Sequence, residues 1–445
     1  MTARHRAVVV GAGPAGFYTA EQLLAAGCAV DLLDALPTPV GLVRSGVAPD
    51  HPNIKAVTRV YEKTAAREGF RFFGGVTLGE DVSRAELLAR YHAVVYAVGT
   101  PADNRLDIPG EELTGSHPAP RFVAWYNGHP DAADEEFDLS AERAVVIGNG
   151  NVAIDVARML VLHPDELART DVADHALEAL GRSRIREVVV LGRRGPAQAA
   201  FTNPELRELG ELQRADVIVD PAEVDGVEAP EEATRRRNVE TLRDYAARAP
   251  DGKSHSVSLR FLRSPVEIVG DENGRVRGIR VARNKLDRDG RAVPTGEEEL
   301  IECGLVFRSI GYRGRPLDGI PFDDRRGVIR NEDGRVRDEQ GAACRGEYVV
   351  GWIKRGPSGV IGTNKKDAAD TVKRILDDQE AGVLSEPDAQ SPAGLFPRAA
   401  GTVSWDGWTA IDAHERARGD ATGRPRIKVV DARELLALGT APRAR

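Results

Sequence analysis

Two short glycine clusters have a spacing that binds phosphate groups in nucleotide-binding proteins. The first, in the segment VVVGAGPAGFYTA, follows the pattern Gly-x-Gly-x-x-Gly, and the second, in VVIGNGNVAIDVAR, follows Gly-x-Gly-x-x-Ala. The first glycine of such a pattern makes a tight turn, the second lets the backbone approach a pyrophosphate, and the third position allows close packing of helix and strand. The predicted cofactor-binding residues of these clusters are Gly11, Gly13, Ala15, Gly16, Gly148, Gly150, Asn151, Val152 and Ala153.

The elements around the first cluster form a βαβ unit. Residues 6–10 are a valine-rich run that predicts a buried parallel strand, residues 17–26 predict a helix facing the phosphates, and residues 29–33 predict the next strand. Asp34 ends that strand, where a carboxylate accepts hydrogen bonds from a ribose 2′-hydroxyl. Because a carboxylate would repel a 2′-phosphate, the first nucleotide is FAD or NAD.

The second cluster has the same context but a different strand end. Residues 143–147 predict a buried strand and residues 151–162 a helix, and a polar helical insertion at 165–182 delays the next strand, REVVVLGRR. Arg193 and Arg194 stand where the first unit has an acid. Guanidinium groups pair bidentately with a 2′-phosphate, although an arginine pair in a turn is often only solvated. We therefore predict FAD at the first cluster and NADPH at the second.

Two similar apolar segments suggest where the chain crosses between domains. HAVVYAVGTPADNRLDIPG ends an apolar strand at Gly99, and CGLVFRSIGYRGRPL repeats that form later. The predicted fold is α/β, with two Rossmann-like dinucleotide-binding domains: a discontinuous FAD domain, residues 1–105 and 321–445, and an inserted NADPH domain, residues 106–320. Within the insert, alternating residues at 255–270 and 274–286 predict antiparallel strands.

Composition excludes several other classes of protein. The net charge of -8 argues against nucleic acid as the main partner. The three cysteines form no CxxC pair and the nine histidines no HExxH pattern, so we expect no metal or iron–sulfur site in this chain. The sequence has neither a signal-peptide pattern nor an apolar run of transmembrane length, and a cytoplasmic location is the expectation.

Several longer segments are more specific than the glycine patterns. They are GAGPAGFYTAEQLL, PVGLVRSGVAPDHPNIK, IGNGNVAIDVARML, LGRRGPAQAAFTNPELREL, RSIGYRG and GWIKRGPSGVIGTNKKDA. In this order they resemble the adrenodoxin reductase-like ferredoxin–NADP(+) reductases, including the bacterial members, across nearly the whole chain. The resemblance implies that electrons pass from NADPH to FAD as a hydride, and then one at a time to an iron–sulfur protein.

Residues beyond the glycine clusters complete the predicted cofactor sites. The turn GPSGVIGTN precedes a helix, so its amides and the helix N-terminus can face the flavin and stabilise the reduced ring, unless the turn simply caps a surface helix. Trp352 resembles the tryptophan that packs near nicotinamide and flavin in the family. The further predicted cofactor contacts are Gly41, Leu42, Val43, Gly99, Trp352, Gly359, Val360, Ile361 and Thr363.

Two glutamates and a histidine complete the predicted site. By resemblance, Glu205 helps to bind the NADPH ribose, and Glu208 pairs with His51 of the segment APDH. A histidine–glutamate pair near a flavin could orient the nicotinamide or manage protons. Solvated, non-catalytic side chains are the alternative for both members of the pair. With Trp352, His51 and Glu208 are the predicted catalytic residues.

An acidic ferredoxin-type partner would need positive charge on this acidic protein. Arginine runs usually decorate solvated helices, but their position in the second domain resembles the partner-binding surface of the family. The candidate docking residues are Arg235, Arg236, Arg237, Lys354, Arg355, Lys365 and Lys366. Salt would weaken an association that such charges steer.

Other functions share tandem nucleotide sites. An FAD- and NADPH-dependent monooxygenase, or an amine-oxidising enzyme, would need a larger substrate domain and would oxidise NADPH rapidly in oxygen. An electron-input flavoprotein subunit would be expected to accompany a cysteine-rich cluster domain, which the sequence lacks. A nucleotide-sensing module would show no turnover with ferricyanide.

Overall fold

The computed structural model describes residues 5–388, 392–396 and 401–441, and the chain divides into two compact units. One unit runs to Asp103 and resumes at Gly311, and the other spans Asn104–Ile310. The first crossing lies within two residues of the predicted boundary, but the return crossing comes ten residues earlier, so residues 311–320 fall in the first unit. The reason is a short antiparallel pairing of Tyr312–Arg313 with Ala102–Asp103, which ties the two crossings together.

A seven-stranded sheet forms the centre of the first unit. Its five parallel strands are buried valine-rich runs such as Arg6–Val10, in which Val8 and Val9 have no exposed surface. A two-strand antiparallel extension continues the sheet beyond Ala343–Val349. In spatial order the strands are Asn331–Glu332, Arg335–Arg337, Ala343–Val349, Ala93–Tyr96, Arg6–Val10, Ala29–Asp34 and Phe70–Gly74.

Helices surround this sheet, and the C-terminal ones belong to the same unit. Thr363–Glu380 packs against Pro14–Ala25, the helix that follows the first glycine cluster. Two short strands, Phe322–Asp323 and Val328–Ile329, form a separate hairpin. The remaining helices are Leu42–Ser45, Pro52–Lys55, Thr58–Ala65, Arg84–Arg90, Trp352–Arg355, Trp405–Asp420, Ala432–Thr440 and the 3₁₀ turn Pro392–Gly394.

The second unit has a six-stranded parallel sheet. His255–Arg260 lies inside it, parallel to both of its neighbours, so our prediction of an antiparallel strand there was wrong. The alternation of apolar and polar residues suggested a strand with one exposed face, but the strand lies inside the parallel sheet, where Val257 and Leu259 are buried. In spatial order the strands are Ser116–Pro118, Leu305–Arg308, Arg143–Ile147, Glu187–Leu191, His255–Arg260 and Ala215–Val219.

A second, three-stranded antiparallel sheet belongs to the same unit. It consists of Arg263–Gly270, Val276–Leu286 and Ala292–Glu302, with bulges in both pairings. The predicted helical insertion at 165–182 is two short helices rather than one, because a turn separates Pro164–Leu167 from Asp174–Gly181. The other helices are Ala119–Tyr126, Asn151–Val161, Asn203–Leu209, Pro221–Val224, Ala233–Ala246 and the 3₁₀ turns Pro130–Ala132 and Pro196–Gln198.

Membrane insertion of a helix finds no support in this fold. Among the described residues, no helix combines the length and the apolar character that crossing a bilayer requires.

Candidate functional site

The first glycine loop leaves its backbone open at one position only. Gly11 has a φ of 109°, and an added Cβ there would lie 2.5 Å from the Ala97 carbonyl oxygen. A Cβ at Gly16 would overlap the Gly11 carbonyl oxygen, whereas a Cβ at Gly13 would meet no atom within 4 Å. Gly13 therefore presents bare backbone to open space at the N-terminus of the helix Pro14–Ala25. This arrangement suits a pyrophosphate.

A second turn packs directly on this loop. The Val40 amide donates to the Ala12 carbonyl at 2.8 Å, and a Cβ on Gly41 would lie 2.9 Å from the Gly13 Cα. Leu42 is 40% exposed, whereas Val43 is buried in the core. The predicted residues Gly41, Leu42 and Val43 are thus placed against the first glycine cluster.

The C-terminal part of the chain holds that turn in place. Arg44 donates two hydrogen bonds to the Glu415 carboxylate, at 2.8 Å and 2.5 Å. Glu415 is fully buried, and it also accepts from the Val429 amide at 2.9 Å. The Arg44 and Arg426 guanidinium groups lower the pKa of Glu415 against the opposing effect of burial. The turn that follows Gly41 is therefore anchored by a buried ion pair.

Asp34 is built into the first glycine loop rather than projecting freely beyond it. Its carboxylate accepts from the Ala12 amide at 2.8 Å and from the Leu36 amide at 2.9 Å. Burial nevertheless raises the pKa of Asp34 to about 6. Each carboxylate oxygen retains a second lone pair, so both can still accept a ribose hydroxyl.

Trp352 begins a tight helical turn that is fixed to the helix Thr363–Glu380. The Gly351 amide donates to Asp367 Oδ2 at 2.6 Å, and Lys354 Nζ lies 2.8 Å from Asp367 Oδ1. The indole Nε1 of Trp352 donates to the Ser358 carbonyl at 3.2 Å. Lys354 also donates to a threonine hydroxyl and is 13% exposed, and its contact with a partner stays a prediction.

The glycine-rich turn before that helix is exposed, and part of it is already hydrogen-bonded. Val360 is 58% exposed, but its amide donates to the Thr363 hydroxyl at 3.2 Å. Thr363 is the first residue of the helix, and no side chain caps the helix N-terminus at Gly362. Gly359 has a φ of 80°, and Ile361 packs against the core. Gly99, in a separate loop, has a φ of 68° and open space where a Cβ would lie.

The second glycine loop repeats the geometry of the first. A Cβ at Gly148 would overlap the Ser309 carbonyl oxygen, and a Cβ at Gly150 would meet nothing within 4 Å. Ala153 is fully buried, consistent with close helix packing, whereas Val152 is partly exposed. Asn151 accepts from the Thr202 amide at 2.8 Å and so joins this loop to the one preceding Glu205.

Glu205 and Glu208 share a cation that the sequence analysis did not identify. Arg158 is buried, with 2% of its side chain exposed, and it forms ion pairs with Asp155 at 3.0 Å, with Glu205 at 3.3 Å and with Glu208. Glu205 is 12% exposed and Glu208 39% exposed. Arg158 lies among the buried residues of the helix Asn151–Val161, and a charged residue on that face was the available signal.

The remaining predicted site residues are Arg193, Arg194 and His51. Arg193 and Arg194 are exposed at the end of the strand Glu187–Leu191, in the position predicted for 2′-phosphate binding. His51 precedes the turn Pro52–Lys55 in the first unit and is buried. Glu208 lies in the second unit, so the pairing of His51 with Glu208 stays a prediction.

The arginine run lies on one exposed helix, Ala233–Ala246. Arg235 pairs with Glu232 at 2.9 Å, and Arg236 donates to two backbone carbonyls. Arg237 is exposed as well. In the first unit, Arg355 donates to the Asn364 side chain at 3.1 Å, and the side chains of Lys365 and Lys366 are exposed.

Comparison with known proteins agrees with this arrangement. Residues 5–341 match the family described as pyridine nucleotide-disulphide oxidoreductase. The NADPH-ferredoxin reductase FprA of Mycobacterium leprae is 49% identical over 455 residues, covering 98% of each chain. The chain belongs to the adrenodoxin reductase-like ferredoxin–NADP(+) reductases. The human mitochondrial NADPH:adrenodoxin oxidoreductase is 45% identical, with 97% of this chain and 91% of that protein covered.

A solved structure supports the same fold for this reductase. The structure of Mycobacterium tuberculosis FprA in complex with NADPH superposes with a TM-score of 0.92 at 49% identity, covering 99% of this chain and all of that one. Two-dinucleotide-binding architecture, as predicted from the tandem glycine clusters, is thereby confirmed.

The residues present fit both cofactors of the family. The open backbone at Gly13 and the carboxylate of Asp34 suit FAD, whose ribose lacks a 2′-phosphate. The open backbone at Gly150 and the exposed pair Arg193 and Arg194 suit NADP(H). The two strand ends therefore differ in charge, acid at one and arginine at the other.

Proposed function

We propose that this protein transfers electrons from NADPH, through FAD, to a ferredoxin-type iron–sulfur protein. The observation that carries the proposal is the pair of open glycine loops with opposite charge at the following strand end. When bound, FAD supplies the chemistry that links a two-electron donor to a one-electron acceptor. The chain's own residues bind the two nucleotides, orient them and set the charge around them.

The first unit holds FAD in this proposal. The amides around Gly13 and the N-terminus of Pro14–Ala25 bind the pyrophosphate, and Asp34 binds the ribose. Gly41, Leu42 and Val43 would contact the nucleotide from the turn packed on this loop, and Trp352 and the turn at 359–363 would hold the isoalloxazine ring. The Val360 amide is held by Thr363, so Gly359 and Ile361 are the better candidates for direct flavin contact.

The second unit holds NADPH. The amides around Gly150 bind the pyrophosphate, and Arg193 and Arg194 bind the 2′-phosphate. Glu205 binds the ribose, and Arg158 fixes its carboxylate. Glu208 and His51 are proposed to orient the nicotinamide or manage its proton. The test of that pair is whether His51→Gln and Glu208→Gln change the pH dependence of flavin reduction.

The partner is an iron–sulfur protein, and we propose an acidic one. Lys354 already forms an ion pair with Asp367. The docking candidates are Arg235, Arg236, Arg237, Lys354, Arg355, Lys365 and Lys366. Charge reversal of Arg235 and Arg237 to glutamate should raise the KM for ferredoxin at low salt and leave the ferricyanide rate unchanged. An unchanged KM would exclude this helix from the docking surface. A cytoplasmic location completes the proposal, and cell fractionation with immunoblotting tests it.

Anaerobic stopped-flow spectroscopy tests the proposed function directly. The purified yellow holoprotein is mixed with NADPH or NADH, and then with oxidised ferredoxin. We expect faster bleaching of flavin absorbance with NADPH, followed by ferredoxin reduction. Arg193→Ala should remove the preference for NADPH, whereas Arg182→Ala, which alters another exposed arginine of the second unit, should not. Absence of bound flavin, or bleaching without ferredoxin reduction, would refute the proposal.

A further inference from the structure

The loop bearing Arg193 and Arg194 has a backbone that is fixed at successive carbonyls. The Arg193 carbonyl accepts from Asn284 Nδ2 at 2.9 Å, and the Arg194 carbonyl accepts from the Leu262 amide at 3.1 Å. The Gly192 carbonyl accepts from the Arg263 amide at 2.9 Å. The backbone of this loop is therefore held from behind while its two guanidinium groups are exposed.

Only one of these contacts is made by a side chain. Asn284 lies near the end of the strand Val276–Leu286 in the antiparallel sheet, and it is 4% exposed. Its Nδ2 donates to the Ser264 hydroxyl at 2.7 Å as well as to Arg193. The backbone amide of Asn284 donates to the Leu262 carbonyl at 2.8 Å. Asn284 thus connects the loop to two adjacent strands of that sheet.

The alternation of its own strand places this side chain, opposite an irregularity in the partner strand. The pairing of Val276–Leu286 with Ala292–Glu302 shifts register between Ala282 and Asn284. The extra residues lie on Ala292–Glu302, where Glu298 and Pro294 face Ala282 and Asn284, so Val276–Leu286 keeps its alternation and Asn284 lies on the same face as Ala282. Asn284 is turned toward the arginine loop, and a buried amide side chain is retained there at a desolvation cost that an apolar residue would not carry.

Bidentate recognition explains why the position of this backbone matters. An arginine pairs with phosphate through two parallel hydrogen bonds, so the geometry tolerates little displacement of the loop. We propose that Asn284 is a positioning residue that sets the preference for a 2′-phosphorylated nucleotide over its unphosphorylated form. The inference rests on the proposed role of Arg193 and Arg194. It assigns part of the specificity to a sheet whose strands carry neither glycine cluster.

Binding of NADP⁺ and NAD⁺ to the purified holoprotein, measured by isothermal titration calorimetry, tests the inference without relying on turnover. Asn284→Leu keeps a similar volume and removes both side-chain hydrogen bonds. We expect the Kd for NADP⁺ to rise about ten-fold and the Kd for NAD⁺ to change by less than about two-fold. The same variant should lower the NADPH to NADH ratio of kcat/KM with ferricyanide by a similar factor.

Asn127→Ala is the matched control. Asn127 is also a buried asparagine of the second unit, and it donates to the Val123 carbonyl at 3.2 Å. Its loss should lower thermal stability without changing the ratio of the two Kd values. Ser264→Ala is the milder second variant should Asn284→Leu fail to fold, and it should shift the ratio in the same direction by a smaller factor.

The outcomes separate this inference from the proposed function. A fall in the ratio for Asn284→Leu and for Arg193→Ala supports both. A ratio that falls for Arg193→Ala but stays constant for Asn284→Leu and Ser264→Ala overturns the inference and leaves the arginine assignment standing. A ratio that no variant changes, including Arg193→Ala combined with Arg194→Ala, overturns the arginine assignment itself. An equal loss of both nucleotides would reduce Asn284 to a structural residue.

Discussion

Binding of FAD to the apoprotein should depend on the protonation of Asp34. Its pKa of about 6 in the protein without ligand lies above the ordinary value of 3.8 because the carboxyl is buried. Ribose hydroxyls that donate to this group favour its ionised form, so FAD binding should release a proton below pH 6. The perturbation is therefore a change of pH, from about 4.5 to about 8, during FAD binding.

The size of the effect follows from the shift of about two pH units, which corresponds to about 3 kcal/mol. Proton linkage fixes the direction in which stability changes with pH. The folded apoprotein binds this proton more tightly than the unfolded chain does, so its contribution to stability is present below pH 3.8 and is lost as the pH rises through 6. The Kd for FAD should be constant above about pH 7 and should rise up to about ten-fold per pH unit below 6.

Quenching of FAD fluorescence on titration of the apoprotein measures this Kd at each pH. Asp34→Asn lacks the titrating group, so its Kd should be nearly independent of pH, whatever its absolute affinity. A wild-type Kd that stays flat from pH 5 to 7, or a variant with the same steep dependence as the wild type, would refute the reasoning.

Three further predictions concern the two glycine loops and their buried ion pairs. Gly16→Ala should abolish FAD binding because its Cβ meets backbone, whereas Gly13→Ala should fold and only weaken FAD binding; absorbance of the bound flavin after purification distinguishes them. Glu415→Gln leaves the buried Arg44 without its carboxylate and should destabilise the first unit by about 3 kcal/mol or more, measured as an earlier thermal release of flavin fluorescence. Arg158→Met should raise the KM for NADPH several-fold while leaving the FAD content unchanged; an unaltered KM would show that the glutamates hold their positions without it.

Local sequence was sufficient for the parts of the site that depend on a single βαβ unit. The strand, glycine loop and helix around Gly13 and Gly150 lie where the pattern predicted them, because the turn, the helix start and the buried strand are specified within about 30 residues. Asp34 also lies at its predicted strand end, although its bonds to the loop amides were not foreseen.

Partners distant in the sequence account for what was missed. His255–Arg260 lies between Glu187–Leu191 and Ala215–Val219 and is parallel to both. The alternation of residues within one strand does not show which strands it pairs with. The ion pair of Lys354 with Asp367 on the following helix was not foreseen either. Arg158 was overlooked because the helix pattern around it is apolar, and two of its three acidic partners lie about 50 residues later.

The Arg44–Glu415 pair has a consequence for biosynthesis. The turn after Gly41 is anchored by a residue near the end of the chain, and the first sheet is completed only by Ala343–Val349. A ribosome makes the whole inserted unit before either of these pieces, and domains fold as units in order of synthesis. The inserted unit can therefore fold while its host is incomplete, and flavin loading is expected only after Glu415 has been synthesised.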